Sequence, residues 1–336
     1  TYTEPGRREG VYLLQLDGRT GALARQGAFD VGPNPSFLAL HPNGRVLYVV
    51  NEVTELDGEA TGGASAFTVA SDGALARLGT MQRTRGGAPC YVSVTSDGRA
   101  VLVANYVGGN LAVFPVGADG ALGADIQVEQ HEGRGPNAER QEKAHAHSML
   151  PDPSGRWALS ADLGADRVYV YAVDPGDRDG GALREVSRVD VRPGAGPRHL
   201  AFHPTLPLVY VANELDNTVT VLRWDAERGV LTPGAVHSTL PAGWSGKSQG
   251  ADIHVAPSGN ALYVSNRGHD SIAVFRLDPA TGAPELEQVA STEGHWPRNF
   301  GIDASGRWLV VANERSNSVV VLARDAASGR LTSTGQ

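Results

Sequence analysis

RHLAFHPTLPLVYVANE, residues 198–214, reads as two short apolar runs around a turn. RHLAF leads into HPTLP, LVYVAN follows, and a glutamate closes the stretch. Val-, Leu- and Tyr-rich runs of this length, parted by turn residues, predict a β-hairpin. The pattern returns as SFLALHPNGRVLYVVNE (36–52), CYVSVTSDGRAVLVANY (90–106), HSMLPDPSGRWALSADL (147–163), ADIHVAPSGNALYVSNR (251–267) and RNFGIDASGRWLVVANE (298–314). In these copies Gly44, Gly98, Gly155, Gly259 and Gly306 each stand seven residues before Asn51, Asn105, Asp162, Asn266 and Asn313; Leu206 holds that place before Asn213. Glycine supplies the positive φ that such turns require, so the register is one hairpin repeated six times.

After each Asn or Asp a third run follows, seen as ASAFTV, NLAVFPV, RVYVYAV, TVTVLRW, SIAVFRL and SVVVLAR, then a turn and a weaker fourth run. Four strands recurring every roughly 47 to 57 residues are the signature of β-propeller blades. The opening TYTEPGRREGVYLLQLDGRTGALARQGAF resembles the second half of a further blade. The fold expected is all-β: a seven-bladed β-propeller of four-stranded antiparallel blades, residues 1–336 forming one domain. One blade is split between the termini and lacks its closing strand, because the sequence stops at LTSTGQ.

Of the 336 residues, 41% are hydrophobic and 20% charged, as in ordinary globular proteins, and the 42 glycines and 20 prolines fall between strand-like runs. No uninterrupted apolar run reaches the length of a membrane span. A net charge of -8 argues against nucleic acid as the main partner, since the phosphate backbone calls for a basic face. The lone Cys90 excludes an internal disulfide and fits a reducing compartment, so a cytoplasmic protein is expected; a monomer is the expected state, though no residue pattern argues for it.

Hairpin geometry locates a candidate site. In an antiparallel pair the start of the first strand lies beside the end of the second. Eight residues before each turn position stand Ser36, Cys90, His147, Arg198, Ala251 and Arg298; eight after stand Glu52, Tyr106, Leu163, Glu214, Arg267 and Glu314. If the first strands line a central channel, these twelve ring one mouth of it, and converging polar groups in a concavity mark a binding site. Arg198, Arg267 and Arg298 suit a carboxylate or phosphate ligand. Glu214 and His147 are candidates for proton transfer. Each has a plainer reading: Arg198 and Glu214 pair within one hairpin, Glu52 and Glu314 cap loops, and the Asn/Asp column bonds nearby backbone.

KAHAHSML (143–150) sets His145 and His147 two apart, on one side of a strand. Zinc would need further ligands from His199, His254 or Glu214, and no second clustered metal motif occurs, so no metal and no cofactor are expected. His41 and His203, in HPNG and HPTLP, read as turn residues at the opposite mouth. The long polar link 131–144 reads either as a lid over the site or as a solvated loop. Cys90 has no base beside it in sequence and is not taken as a nucleophile.

GPRHLAFHPTLPLVYVANELDNTVTVL, IHVAPSGNALYVSNRGHDSIAVF, PRNFGIDASGRWLVVANE and HAHS together resemble the lactonase family of seven-bladed propellers. That family holds bacterial 6-phosphogluconolactonases and fungal carboxy-cis,cis-muconate cyclases. The resemblance implies a site of one histidine, two arginines and a glutamate: His147, Arg198, Arg267 and Glu214. It also implies hydrolysis of a small anionic lactone, 6-phospho-D-glucono-1,5-lactone foremost, in the pentose phosphate pathway. Arg298, Asn299, His199, His145 and Glu52 are the accompanying substrate-binding candidates. The alternatives are a carboxymuconate-type cyclase and a non-catalytic propeller that binds a ligand or protein.

Overall fold

The structure, a computed structural model, describes residues 2–3, 9–177 and 181–336. Among them every regular element is a β-strand. Six four-stranded antiparallel sheets cover residues 35–83, 89–130, 146–190, 197–238, 249–291 and 297–333, each a meander in chain order. A partial sheet pairs Glu9–Leu16 with Leu23–Asp30. Among the described residues no C-terminal strand pairs with it, so the expected split of this blade between the termini is not seen. The last strand, Leu331–Ser333, instead completes the sheet before it by pairing with residues 322–324. Residues 1 and 4–8 of the opening repeat lie outside the described residues.

The chain packs as two compact units, Thr1–Leu14 with Arg25–Asp190, and Gln15–Ala24 with Val191–Gln336. Within each unit the first strands of successive sheets are neighbours, and each central sheet is buried on both faces. Side-chain alternation produces this. In the strand Ala100–Asn105, Val101 and Val103 join Tyr48, Val50 and Val46 of the preceding sheet, whereas Ala100, Leu102 and Ala104 join Met149 and Tyr171 of the next. In the second unit Leu262 and Val264 face Tyr210 and Ala212, while Ala261 and Tyr263 face Leu309 and Val311.

Polar stitches run between sheets. The hydroxyls of Tyr48, Tyr210 and Tyr263 donate to the carbonyls of Gly120, Gly282 and Gly329 at 2.9, 2.7 and 2.8 Å. His41 and His203 do more than shape their own turns. Their Nδ1 atoms accept from Asn43 and from Thr205 and Leu206, and their Nε2 atoms reach the turn-glycine carbonyls of the next sheet, Gly98 and Gly259, both at 3.1 Å. Those glycines have φ of 73° and 74°, and a Cβ on Gly98 would come within 2.4 Å of the His41 ring. The turn glycine therefore serves the hairpin and its neighbour together.

The Asn column is structural. Asn105, Asn266 and Asn313 donate to the linker carbonyls of Thr84, Thr239 and Thr292 at 2.8, 2.9 and 3.1 Å. Asp162 has no such donor. It instead accepts from His131 Nδ1 at 2.8 Å and from the backbone N–H of His145 and Ala165, while His131 Nε2 meets the Tyr171 hydroxyl at 3.0 Å.

One departure from the expected register fixes the site. In all six first hairpins the ladder slips near the start of the first strand: Pro35 pairs with Asn51 but Phe37 with Val50, and Pro197 with Asn213 but His199 with Ala212. The same shift lies between Pro89 and Tyr91, Ala146 and Ser148, Gly250 and Ile253, and Pro297 and Asn299. Ser36, Cys90, His147, Arg198, Ala251 and Arg298 fall in these bulges. A bulged residue is free of ladder pairing and its side chain is re-aimed, which is why such positions collect function.

Candidate active site

In the second unit, Arg198, Glu214 and Arg267 are buried together, each no more than 4% exposed. Glu214 Oε2 lies 2.8 Å from Arg267 Nη2 and 3.0 Å from Arg198 Nε. One carboxylate oxygen thus ties two guanidinium groups from neighbouring sheets. Their outer nitrogens are fixed by backbone carbonyls of the intervening strand: Arg198 Nη1 donates to Ala251 and Arg267 Nη2 to Gly250, both at 2.9 Å. The Nε–H groups of both arginines lack an aligned hydrogen-bond partner, although buried donors are nearly always satisfied. Burial, then the charges of Arg267 and Arg298, pushes Arg198 down to about 10. Burial also lowers Arg267, against the pull of Glu214. A guanidinium keeps its proton in proteins, so both are cations at neutral pH.

Behind Arg198 stands a carboxylate that sequence reasoning passed over. Asp252 Oδ1 holds His199 Nδ1 at 2.8 Å, and Oδ2 holds His254 Nε2 at 3.0 Å, Asn299 Nδ2 at 2.7 Å and the Phe300 N–H at 3.2 Å. With Nδ1 donating to Asp252, His199 turns Nε2 as acceptor toward Arg198 Nη1 at 3.2 Å. His199 and Asn299, taken from sequence as substrate contacts, therefore brace the arginine cluster through Asp252. Arg298 lies beside Glu314 at 3.7 Å, both partly exposed.

These charges make stability depend on pH. Burial, then the Arg198 charge, pushes His199 down to about 4, against about 6.5 for an unfolded histidine. Between those values the unfolded chain holds the extra proton, so the His199 contribution is complete above pH 6.5 and declines as pH falls toward 4, by about 3 kcal/mol in all. Burial works against ionised Asp252, but its His254 and His199 partners prevail and hold it far below the usual carboxylate range, carrying the loss to lower pH. His254 works oppositely. Burial lowers it, the Asp252 charge and hydrogen bond outweigh that, and its contribution fades as pH rises through its raised value. Urea unfolding at pH 7, 5.5 and 4.5 should show a shallower acid loss for His199→Gln than for the parent; equal slopes would refute the assignment.

In the first unit His147 and Cys90 occupy adjacent bulges, both buried, with Cys90 Sγ 3.6 Å from His147 Nδ1 and 3.4 Å from its carbonyl. The base that sequence did not place beside Cys90 is thus supplied by the next sheet. Tyr106 packs edge-to-face with His147, with ring centroids 5.5 Å apart, and stacks on His145 at 4.5 Å. His145 has both ring nitrogens engaged, Nδ1 with the Tyr106 carbonyl at 2.9 Å and Nε2 with Glu142 at 3.1 Å, so it anchors the loop where the sequence reading made it a substrate contact. The His145 hydrogen bond also lowers Glu142.

The 131–144 link is pinned across Tyr106 and Leu163. Arg140 donates to the Tyr106 hydroxyl, Gln141 to the Leu163 carbonyl and Lys143 to the Val107 carbonyl, at 3.1, 2.9 and 2.6 Å. Glu52 accepts from the Tyr2 hydroxyl at 2.7 Å. No cluster of three His, Cys, Asp or Glu side chains among the described residues could hold a metal ion.

Repeated four-stranded antiparallel meanders are the blades of a β-propeller, and a buried arginine–glutamate–arginine cluster lies at the ends of two of them. The description "Lactonase, 7-bladed beta-propeller" matches residues 1–336, and the chain belongs to that family. It is 38% identical to a 6-phosphogluconolactonase of Bacillus subtilis, over 99% of this chain and 92% of that protein. It is 31% identical to a 6-phosphogluconolactonase of Formosa agariphila, over 98% and 93%. Among solved structures, a periplasmic gluconolactonase of Pseudomonas aeruginosa superposes with a TM-score of 0.89 at 34% identity, covering 98% of this chain and 92% of that one. These relatives support lactonase activity.

Proposed function

We propose that the chain hydrolyses 6-phospho-D-glucono-1,5-lactone to 6-phosphogluconate, as a carboxylic ester hydrolase of the pentose phosphate pathway. The observation that carries the reading is the pair of buried guanidinium groups on Glu214, each with an Nε–H that lacks an aligned partner. Ester opening places negative charge on the carbonyl oxygen as water adds, and preorganised donors in a dry site stabilise it. Arg198 and Arg267 are those donors, and Glu214 and His199 keep them aimed. Proton removal from water is proposed for His147 on its bulge register alone, with Glu214 as the alternative base. The water oxygen bonds to the acyl carbon, the ring C–O bond breaks, and the freed alkoxide takes the proton. A δ-lactone is reactive enough that no metal is called for.

The test is acid release from 6-phosphoglucono-1,5-lactone, followed with a pH indicator against the spontaneous rate. Acceleration proportional to enzyme is expected, and an unchanged rate would end the proposal. Two named relatives act on the phosphorylated compound and one on gluconolactone, so both lactones belong in the assay.

A further inference from the structure

Trp296 and Arg315 lie just outside the positions that hairpin register picks out, one before Pro297 and one after Glu314. Trp296 has φ of 66°, a left-handed conformation that costs a bulky residue about 1–3 kcal/mol unless its surroundings impose it. They do. Its N–H donates to Asp270 Oδ1 at 2.8 Å, and its carbonyl accepts from the Glu314 N–H at 3.0 Å. Asp270 is itself fixed by His295 Nδ1 at 2.9 Å and the Gly268 N–H at 3.0 Å.

The outcome of that strain is an indole shared by two guanidinium groups. Arg315 Cζ lies 3.4 Å from the ring centroid and Arg267 Cζ 5.5 Å, both within cation–π range. Arg267 belongs to the buried cluster. Arg315 is exposed, its N–H is tied to the His295 carbonyl at 3.0 Å, and no carboxylate among the described residues pairs with it. Around this cluster four arginines (198, 267, 298 and 315) stand with four carboxylates: Glu214 and Glu314 pair with Arg198, Arg267 and Arg298, while Asp252 and Asp270 are taken up by histidines and backbone N–H groups. Arg315 is the arginine of the four that no carboxylate among the described residues pairs with, and a phosphate monoester would bring it nearly two negative charges at neutral pH. An unphosphorylated sugar lactone carries none.

We propose that Arg315, laid on Trp296, is the residue that selects a phosphorylated lactone over its unphosphorylated counterpart. This rests on the lactonase reading of the Arg198–Glu214–Arg267 cluster. The carbonyl carbon meets Arg198 and Arg267, and the phosphate, one carbon off the ring, reaches the guanidinium that the same indole holds in place. Stacking leaves the edge donors of Arg315 available for phosphate oxygens and removes the rotamer freedom that weakens exposed cations.

The experiment compares kcat/KM on 6-phosphoglucono-1,5-lactone and on glucono-1,5-lactone for the parent, Arg315→Met and Arg315→Lys, with spontaneous opening subtracted. Arg315→Met should lose about tenfold to a hundredfold on the phosphorylated lactone, the range for a hydrogen bond to a charged group, and stay within about twofold on the neutral one. Arg315→Lys should recover part of the loss, and inorganic phosphate should inhibit the parent more strongly than the Met variant. Equal losses on both lactones, or none on either, overturn the proposal while leaving the lactonase reading intact. If the parent opens neither lactone, that reading falls and this assignment falls with it.

Discussion

Glu214→Ala should lower the unfolding free energy by about 3–5 kcal/mol, the range for removing one partner of a buried ion pair, and abolish lactone opening. Arg198 and Arg267 are 2% and 4% exposed, on adjacent sheets, and their shared contact is one Glu214 oxygen. Without it two desolvated cations face each other, held by the Gly250, Ala251 and His199 acceptors. Urea unfolding at pH 7 measures the loss, and a change below about 1 kcal/mol would show that solvent or a rearrangement relieves the cluster. The triple variant Arg198→Met, Glu214→Leu, Arg267→Met separates stability from chemistry. Apolar replacement of a complete buried ionic cluster is often neutral or stabilising, so this chain should refold near parental stability and remain inactive.

His147→Ala should reduce kcat by about a hundredfold to ten-thousandfold, the usual contribution of a positioned general base, with little change in KM. The side chain is 4% exposed and sits at the register shift between Ala146 and Ser148, beside Cys90 and the ring of Tyr106. Truncating it opens a small space without breaking a strand pair. A variant that keeps more than about a third of the parent kcat would move the proton-transfer role elsewhere, since a loss that small is far below general-base catalysis.

Much of this was legible before any coordinates. Turn glycines seven residues ahead of an Asn or Asp give the hairpins, and the count of eight in either direction reached Arg198, Glu214, Arg267 and His147. The count assumed a regular ladder, however, and still fell on the shifted positions because the bulge carries one residue past its pairing partner. The proline before Ser36, Cys90, Arg198 and Arg298 was a local sign of that irregularity, because proline cannot donate to a ladder. Asp252 escaped notice because it follows Ala251, a ring position with no functional group, and its role exists only through His199 and Asn299 on neighbouring strands. Trp296 and Arg315 escaped because their contact depends on a left-handed backbone at a tryptophan, which no propensity anticipates. His145 went the other way: adjacency to His147 suggested a shared task, and the pinned 131–144 loop claims it.

The six bulges also say how this scaffold tolerates change. Ser, Cys, His, Arg, Ala and Arg occupy equivalent sockets, each at a shift in the ladder register. Residues that hold the sheets together, such as Tyr48, Asn105 and the turn glycines, lie elsewhere in the repeat. Specificity can therefore be rewritten one socket at a time, by exchanging the residue at position 36, 90 or 251, without renegotiating the architecture that presents it.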